Sequence, residues 1–486
     1  MRISILIIFL SISCFLEAQT IEQLKQELAL FLKDVDLKNA SIGFYAEDLN
    51  TNQVIGEINS DQSLVPASIT KLITTATSLE MFDANHRFTT SLYYNGTIDS
   101  NTKILHGNIV IKGGGDPALG SHRYEKVYSN FMNKWANEIK ALGIDSINGK
   151  VIADASYFNE QMIPSTWIWG DLGNYYGAGP SGLSIHENMC MVEFVSGKNK
   201  GDSTLISCVK PFVPDLEIEN LVKSSDTQKD ESNFYGGPYQ YNKMVKGNIP
   251  LNKKDFVVKS SIPDPAFLAS YELTTELKNL GIITAYTNST SRLEKDNSSY
   301  VSEHFISSIQ SPKITELIQQ VNYHSINLYA EHLLNHIGVK KFNSGDVESG
   351  TTAELDFWKS KGIDVNGMYL NDGSGLSRFN GFTSKQLVKI LSYMKQSENY
   401  ELFYQSLPIA GKSGTVRSVG TGSALDGNAR IKSGYMTRVR SYAGYLKTKS
   451  NRTVGFVIMV NNFNCSAQVM KNKMEKLMVK LAEIND

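Results

Sequence analysis

Cysteine is scarce in this chain: four in 486 residues, at Cys14, Cys190, Cys208 and Cys465. So few exclude a small disulfide-held scaffold. A charge surplus is missing as well. The 48 Lys and Arg against 49 Asp and Glu leave a formal net charge of -1, so a nucleic-acid partner has no electrostatic footprint. After the first residues there is no apolar run long enough to read as a membrane span. No internal repeat is visible.

The one long apolar run opens the chain. Met1-Arg2 is followed by Ile3 to Phe15 and then Leu16-Glu17-Ala18. This reads as a secretory signal peptide over 1–18, cut ahead of Gln19. An exported protein of the periplasm or cell envelope is expected, with no transmembrane anchor after cleavage. A lipoprotein signal ending at Cys14 is the alternative, disfavoured because Ser11 stands where an aliphatic residue belongs. Cys190 and Cys208 flank the turn-rich 197–202 stretch. Strands on either side would set them roughly opposite each other, and a cross-strand disulfide and two separate buried thiols both fit. Cys465 is expected to be a free thiol.

At 486 residues, 41% hydrophobic and 20% charged, the chain is a folded protein of two or three domains. Residues 21–32 read as a short helix and 40–58 as a strand pair. A helix from Ser68 follows, with Ile69, Leu72, Ile73, Ala76 and Leu79 as its apolar stripe. From about His86 to Tyr300 short strands and turn clusters dominate, and the polar 222–254 run reads as loop-rich. Helices return at 314–321, 328–337, 352–361 and 383–397. Three strands (429–436, 439–446, 452–460) and an amphipathic helix (467–484) close the chain. The order predicts an α/β sandwich whose sheet joins the two chain ends.

Ser68-Ile69-Thr70-Lys71 carries the chemistry. A serine and a lysine three residues apart share one helical face, and a neutral lysine there can take the serine's proton without a histidine. The same spacing at Ser100/Lys103, Ser207/Lys210 and Ser392/Lys395 has no such surroundings. Ser325-Ile326-Asn327 fits a proton shuttle and an amide that holds substrate. Ser-x-Asn at Ser146/Asn148 and Ser397/Asn399 reads as a turn or helix end. Lys-Ser-Gly, a carboxylate anchor when it lies on an edge strand, occurs twice, at Lys412-Ser413-Gly414 and Lys432-Ser433-Gly434. The second copy lies in a strand that leads by a short turn into the next. It is the expected anchor, and Lys412 is read as a loop lysine.

Together these pieces resemble the serine acyltransferases that carry Ser-x-x-Lys, Ser-x-Asn and Lys-Thr-Gly, the penicillin-binding proteins and serine β-lactamases. The resemblance is closer to the class C low-molecular-mass penicillin-binding proteins, the D-alanyl-D-alanine carboxypeptidase/endopeptidase family. Members carry a large insertion between the first two motifs. They also have stretches like Gly115-Asp116-Pro117, Asp372-Gly373-Ser374-Gly375-Leu376-Ser377-Arg378 and Leu407-Pro408-Ile409-Ala410-Gly411, and a Gly-Thr pair like Gly414-Thr415 upstream of the true third motif. Ser433 replaces the usual threonine, and Tyr435 stands where a small hydroxyl residue is common.

The resemblance implies a transpeptidase-like domain, an antiparallel sheet sandwiched by helices, over 19–86 and 301–486. It implies an inserted domain over 87–188 and 259–300, with a second, nested one over 189–258. It further implies Ser68 as nucleophile, Lys71 as base, Ser325 as shuttle and Asn327 on a substrate amide. Lys432, Ser433, Gly434 and Tyr435 would line the substrate's carboxylate end. Asp154, with the 167–178 aromatic tract, would wall its side chain. The expected substrates are peptidoglycan peptides, and the expected inhibitors β-lactams. The chemistry calls for no cofactor, and no feature specifies an oligomeric state.

Three rivals are weaker. A β-lactamase needs a deacylating base, and Glu331, one turn after Asn327, reads instead as a solvated helix residue. A metal enzyme on His332 and His336 lacks the interior glutamate and an evident third ligand. A non-catalytic cell-wall or β-lactam-binding module would keep the fold without turnover, yet all catalytic positions are filled.

Overall fold

Strands near both ends of the described chain share one sheet. In this computed structural model, which describes residues 22–485, five antiparallel strands run in the order Arg430–Met436, Val439–Lys447, Thr453–Asn461, Ser41–Asp48, Gln53–Ile58. The expected signal peptide lies outside the described residues. Ser41 pairs with Asn461 and Asp48 with Val454, so the first strand sits against the last in full register. A nearly continuous apolar run drives this, because successive side chains point to opposite faces and both faces of these strands are buried. Phe456, Ile458 and Val460 pack with Tyr442 and Phe44 beneath Leu24, Leu28 and Phe31 of the first helix and Met470, Met474 and Leu477 of the last. Tyr445 points the other way and donates its hydroxyl to Leu391 O, 2.9 Å, in the helix Ser384–Gln396. That helix begins with a capping box in which Thr383 and Gln386 satisfy each other's backbone amides.

The chain divides into two compact units. The first, just described, holds residues up to Ala84, Ile318–Ile326 and Thr351 onward. The second holds Asn85–Leu317 and Asn327–Gly350. It contains a five-stranded sheet (Ser289–Thr290, Val151–Asp154, Ile109–Lys112, Thr89–Tyr94, His304–Gln310) and a short four-stranded one. Two three-stranded sheets complete it. One is ordered Leu205–Lys210, Met189–Val195, Phe256–Ser261, and the other Glu217–Ser225, Asn242–Pro250, Glu231–Tyr235.

Three expectations need correction, and one pair of open alternatives is resolved. The 222–254 run is not loop-rich. It contributes to a nine-residue parallel pair, Glu217–Ser225 with Asn242–Pro250. Its sheet buries just four large apolar side chains, Val222, Phe234, Val245 and Ile249, beside the buried polar Lys243, Ser224 and Ser225, and so thin an apolar face reads as loop. Cys190 and Cys208 are both free thiols. Their strands do pair, but the register sets Glu193 opposite Cys208. The helix expected from Ser68 does not start there: Ala67–Thr70 is a 3-10 turn and the α-helix spans Lys71–Met81. Glu331 is fully buried rather than solvated, because the helix Asn327–Phe342 is covered on every side from Leu328 to Gly338.

Candidate active site

The 3-10 turn sets the pair. With three residues per turn, positions i and i+3 eclipse, and Lys71 Nζ donates to Ser68 Oγ at 3.1 Å. Ala67, just before the serine, has φ +51°, a left-handed backbone that costs a side-chain-bearing residue about 1–2 kcal/mol. The surroundings hold it there. Asn461, at the end of the last strand, receives the Val65 amide at 2.9 Å and donates back to Val65 O at 3.0 Å. Ser441 Oγ donates to Pro66 O at 2.5 Å. The segment that leads into Ser68 is therefore tied to two strands of the sheet by side chains.

Lys71 is fully buried and also donates to Ser374 O at 2.5 Å. That carbonyl is aimed by Asp372, whose carboxylate accepts from the amides of Gly375 at 2.7 Å and Ser377 at 2.5 Å and from Asn380 Nδ2 at 2.7 Å. Thr74 Oγ1 donates to Gly373 O at 2.9 Å, locking the same tract onto the helix. The Asp372–Arg378 stretch thus orients the lysine through its backbone. Sequence reading found the stretch only as a resemblance, since a carbonyl contact leaves no side-chain signature.

Ser325 lies at the break between the helices Ile314–His324 and Asn327–Phe342, with φ +60°. Its hydroxyl accepts from Lys432 Nζ at 2.8 Å. Asn322 steadies this segment, donating to Ser406 Oγ at 2.8 Å and to Thr75 Oγ1 at 3.2 Å on the nucleophile helix. Lys432 is fully buried in the edge strand. Desolvation first, and the charge of Lys71 second, hold its ammonium well below the ordinary lysine range. The outer edge of its strand is covered as far as Ile431, whose amide donates to Pro408 O at 3.0 Å. Gly434 faces the turn that carries Ser68. A β-carbon there would stand 2.2 Å from Ser441 Oγ, 2.7 Å from Pro66 O and 3.0 Å from Ser68 N. Ser433 Oγ donates to Thr415 Oγ1 at 2.9 Å, and Tyr435 is exposed.

The structure therefore brings together Ser68, Lys71, Ser325, Lys432, Ser433 and Gly434 within the first unit. Lys412 does not join them: it is exposed and pairs with Asp426 at 2.8 Å. The other Ser-x-x-Lys lysines point elsewhere. Lys103 pairs with Asp145 at 3.3 Å, Lys210 with Glu193 at 2.8 Å, and Lys395 lies 4.2 Å over the Tyr400 ring.

Asn327 and Asp154 belong to the second unit. Asn327 Nδ2 donates to Tyr176 O at 2.7 Å. Asp154 ends its strand, buried, and accepts from the Ser156 amide at 2.9 Å. In the aromatic tract Trp167 is buried while Trp169 and Tyr175 are half exposed. His332 and His336 are core residues. His332 Nε2 meets Ser184 Oγ and His336 Nε2 meets Gly115 O, both at 2.9 Å, and His336 stacks on Phe88 with ring centroids 3.7 Å apart. Burial lowers both imidazoles, His336 to about 3. Among the described residues no cluster of His, Cys, Asp and Glu is placed to hold a metal.

Comparison with known proteins gives a consistent picture. The chain is 26% identical over 444 residues to the D-alanyl-D-alanine carboxypeptidase DacB of Haemophilus influenzae, covering 90% of this chain and 88% of that one. It is 24% identical over 439 residues to the D-alanyl-D-alanine carboxypeptidase of an Actinomadura species, covering 87% and 78%. Its fold is similar to the crystal structure of penicillin binding protein 4 from Haemophilus influenzae, with TM-score 0.79 at 23% identity over 95% of this chain and 99% of that chain. A second structure of that protein, complexed with a β-lactam, gives TM-score 0.74 at 21% identity over 95% and 98%. That is the penicillin-binding-protein fold expected from the motif order. Because the family pattern itself runs through residues 24–484, nearly the whole described chain, the protein belongs to the D-Ala-D-Ala carboxypeptidase 3 (S13) family.

Proposed function

We propose that this serine carboxypeptidase hydrolyses the bond between two D-alanines at the end of peptidoglycan stem peptides, and D-centred cross-links at the same serine. One observation carries the reading: two lysine–hydroxyl pairs stand in a single cluster, Lys71 Nζ with Ser68 Oγ at 3.1 Å and Lys432 Nζ with Ser325 Oγ at 2.8 Å. Two buried ammonium groups repel, and the pair sheds a proton readily. Neutral Lys71 takes the proton of Ser68, and Ser68 Oγ attacks the carbonyl carbon. The oxyanion is received by the backbone amides of Ser68 and Tyr435. Ser325 passes a proton to the leaving amine, the C–N bond breaks, and water then releases the acyl group. Lys432 and Ser433 hold the terminal carboxylate, whose charge favours the protonated lysine. Asn327 takes a substrate amide and Asp154 the substrate's side chain, roles supported by the Ser-x-Asn motif and by family resemblance.

β-Lactams acylate Ser68 in this scheme, in keeping with the β-lactam complex of the Haemophilus penicillin binding protein 4. Export to the envelope is supported by residues 1–18 and by the family's cell-wall substrates. Among the described residues no helix is long and apolar enough to cross a membrane. The test is labelling with a fluorescent penicillin. Ser68→Ala abolishes the label, Lys432→Ala weakens it strongly, and Lys412→Ala leaves it. Full labelling of Ser68→Ala overturns the assignment.

A further inference from the structure

The scheme leaves the first Lys-Ser-Gly copy without work, yet it is built with care. Ser413 Oγ accepts from the Ile409 amide at 2.9 Å, and Lys412 is held by Asp426. Gly414 takes φ +54°, and a β-carbon there would come within 2.6 Å of Tyr323 O and 2.7 Å of Pro408 Cβ. Only glycine lets this turn press so closely against the segment that leads to Ser325. The residue it delivers is Thr415, in the one-turn helix Gly414–Val416. Thr415 is exposed, and its hydroxyl accepts from Ser433 Oγ at 2.9 Å. In the edge strand, Gly434 is followed by Tyr435, whose ring is exposed with the Arg440 guanidinium 5.6 Å from its centre. The strand therefore offers one small hydroxyl, Ser433, where two acceptor oxygens of a carboxylate need partners.

We propose that Thr415 supplies the second hydroxyl of the carboxylate site. In the free enzyme the two hydroxyls satisfy each other. When a C-terminal carboxylate arrives, the Ser433–Thr415 hydrogen bond opens and each hydroxyl donates to one carboxylate oxygen. One neutral hydrogen bond is exchanged for two charge-assisted ones. The first Lys-Ser-Gly copy is a bracket for Thr415, and Thr415 selects substrates that end in a free carboxylate. This deepens the carboxypeptidase reading and rests on it.

The experiment compares an acyl-D-alanyl-D-alanine peptide with the same peptide ending in a carboxamide, on wild type, Thr415→Val and Thr415→Ser. Thr415→Val is expected to lower kcat/KM for the carboxylate peptide about 10- to 100-fold, mainly through KM. Turnover of the carboxamide should change less than about twofold, and Thr415→Ser should restore most of the loss. Equal loss on both peptides, or none on the carboxylate peptide, overturns the proposal while leaving the carboxypeptidase reading intact. A wild-type protein that releases no D-alanine and takes no penicillin label overturns that reading, and this proposal with it.

Discussion

Lys432 is buried beside a second lysine, and both of these causes press it toward the neutral form. A carboxylate arriving against Lys432 and Ser433 reverses that balance, because an opposite charge nearby favours the ammonium. Binding should therefore take up a proton over the pH range in which Lys432 is neutral in the free enzyme and protonated in the complex. Calorimetry of Ser68→Ala with a D-alanyl-D-alanine peptide, in buffers of different ionisation enthalpy, should show that uptake, and Ser68→Ala/Lys432→Met should lack it. Gly434 makes a second prediction. A methyl group at that position has no room between Ser441 and Pro66, so Gly434→Ala must push the edge strand off the nucleophile turn. A misplacement of about 1 Å costs on the order of 100-fold in rate, and the penicillin acylation rate should fall by that order while the far-ultraviolet circular dichroism is unchanged.

The four side chains that meet in the first unit, Ser68, Lys71, Ser325 and Lys432, were legible because spacing and strand context pick them out. The groups that aim them were not. Ser374 acts through a carbonyl, and Thr415 meets Ser433 only because a turn eighteen residues upstream folds back onto the strand.

Lys243 joins two small sheets. It stands on the strand Asn242–Pro250, is buried, and donates to Ser260 Oγ at 3.3 Å and Ser261 Oγ at 2.8 Å on the strand Phe256–Ser261. Burial lowers it to about 8. The folded-state value lies below the unfolded one, so between about pH 8 and 10.5 the unfolded chain binds the extra proton. Stability then rises with pH across that window, by about 3 kcal/mol at most. Cys190, pushed up to about 11 by burial, acts in the opposite sense. The informative quantity is therefore the difference between wild type and Lys243→Met. In urea denaturation that difference should shift toward the wild type as pH is raised from 8 to 10.5. A flat difference would contradict a buried lysine.

Elements with a continuous apolar run or one strong apolar stripe, such as Thr453–Asn461 and Ser384–Gln396, could be read from the sequence within a residue or two. The Glu217–Ser225 pairing could not. Its strands present only four large apolar side chains to a core that also takes in Lys243 and two serines, and register between distant polar strands leaves little trace in local pattern. Glu331 was misread for the opposite reason, in a helix so fully enclosed that its polar residues are buried with the rest.

The whole molecule depends on joining its ends. The strand Ser41–Asp48 lies between Gln53–Ile58 and Thr453–Asn461, and Asn461 ties down Val65 beside the nucleophile. Pairing across such sequence separation is slow to form. In refolding followed by pulsed hydrogen exchange, amides of 41–48 should gain protection together with those of 453–461, and penicillin labelling should appear no earlier. A chain cut after Lys447 should take no label. Early protection of 41–48 in that truncated chain would contradict the scheme.

Between Ala84 and Ile318 the first unit is interrupted by one unbroken excursion, Asn85–Leu317. Closing a loop of over two hundred residues costs only about 3 kcal/mol more entropy than closing one of ten. The length of this excursion is therefore nearly neutral for the sheet that holds Ser68. Doubling or halving its length would change that cost by only about 0.6 kcal/mol, and the sheet should tolerate either. Variation in diet among relatives should accordingly be written in the excursion, and constancy of chemistry in the two chain ends.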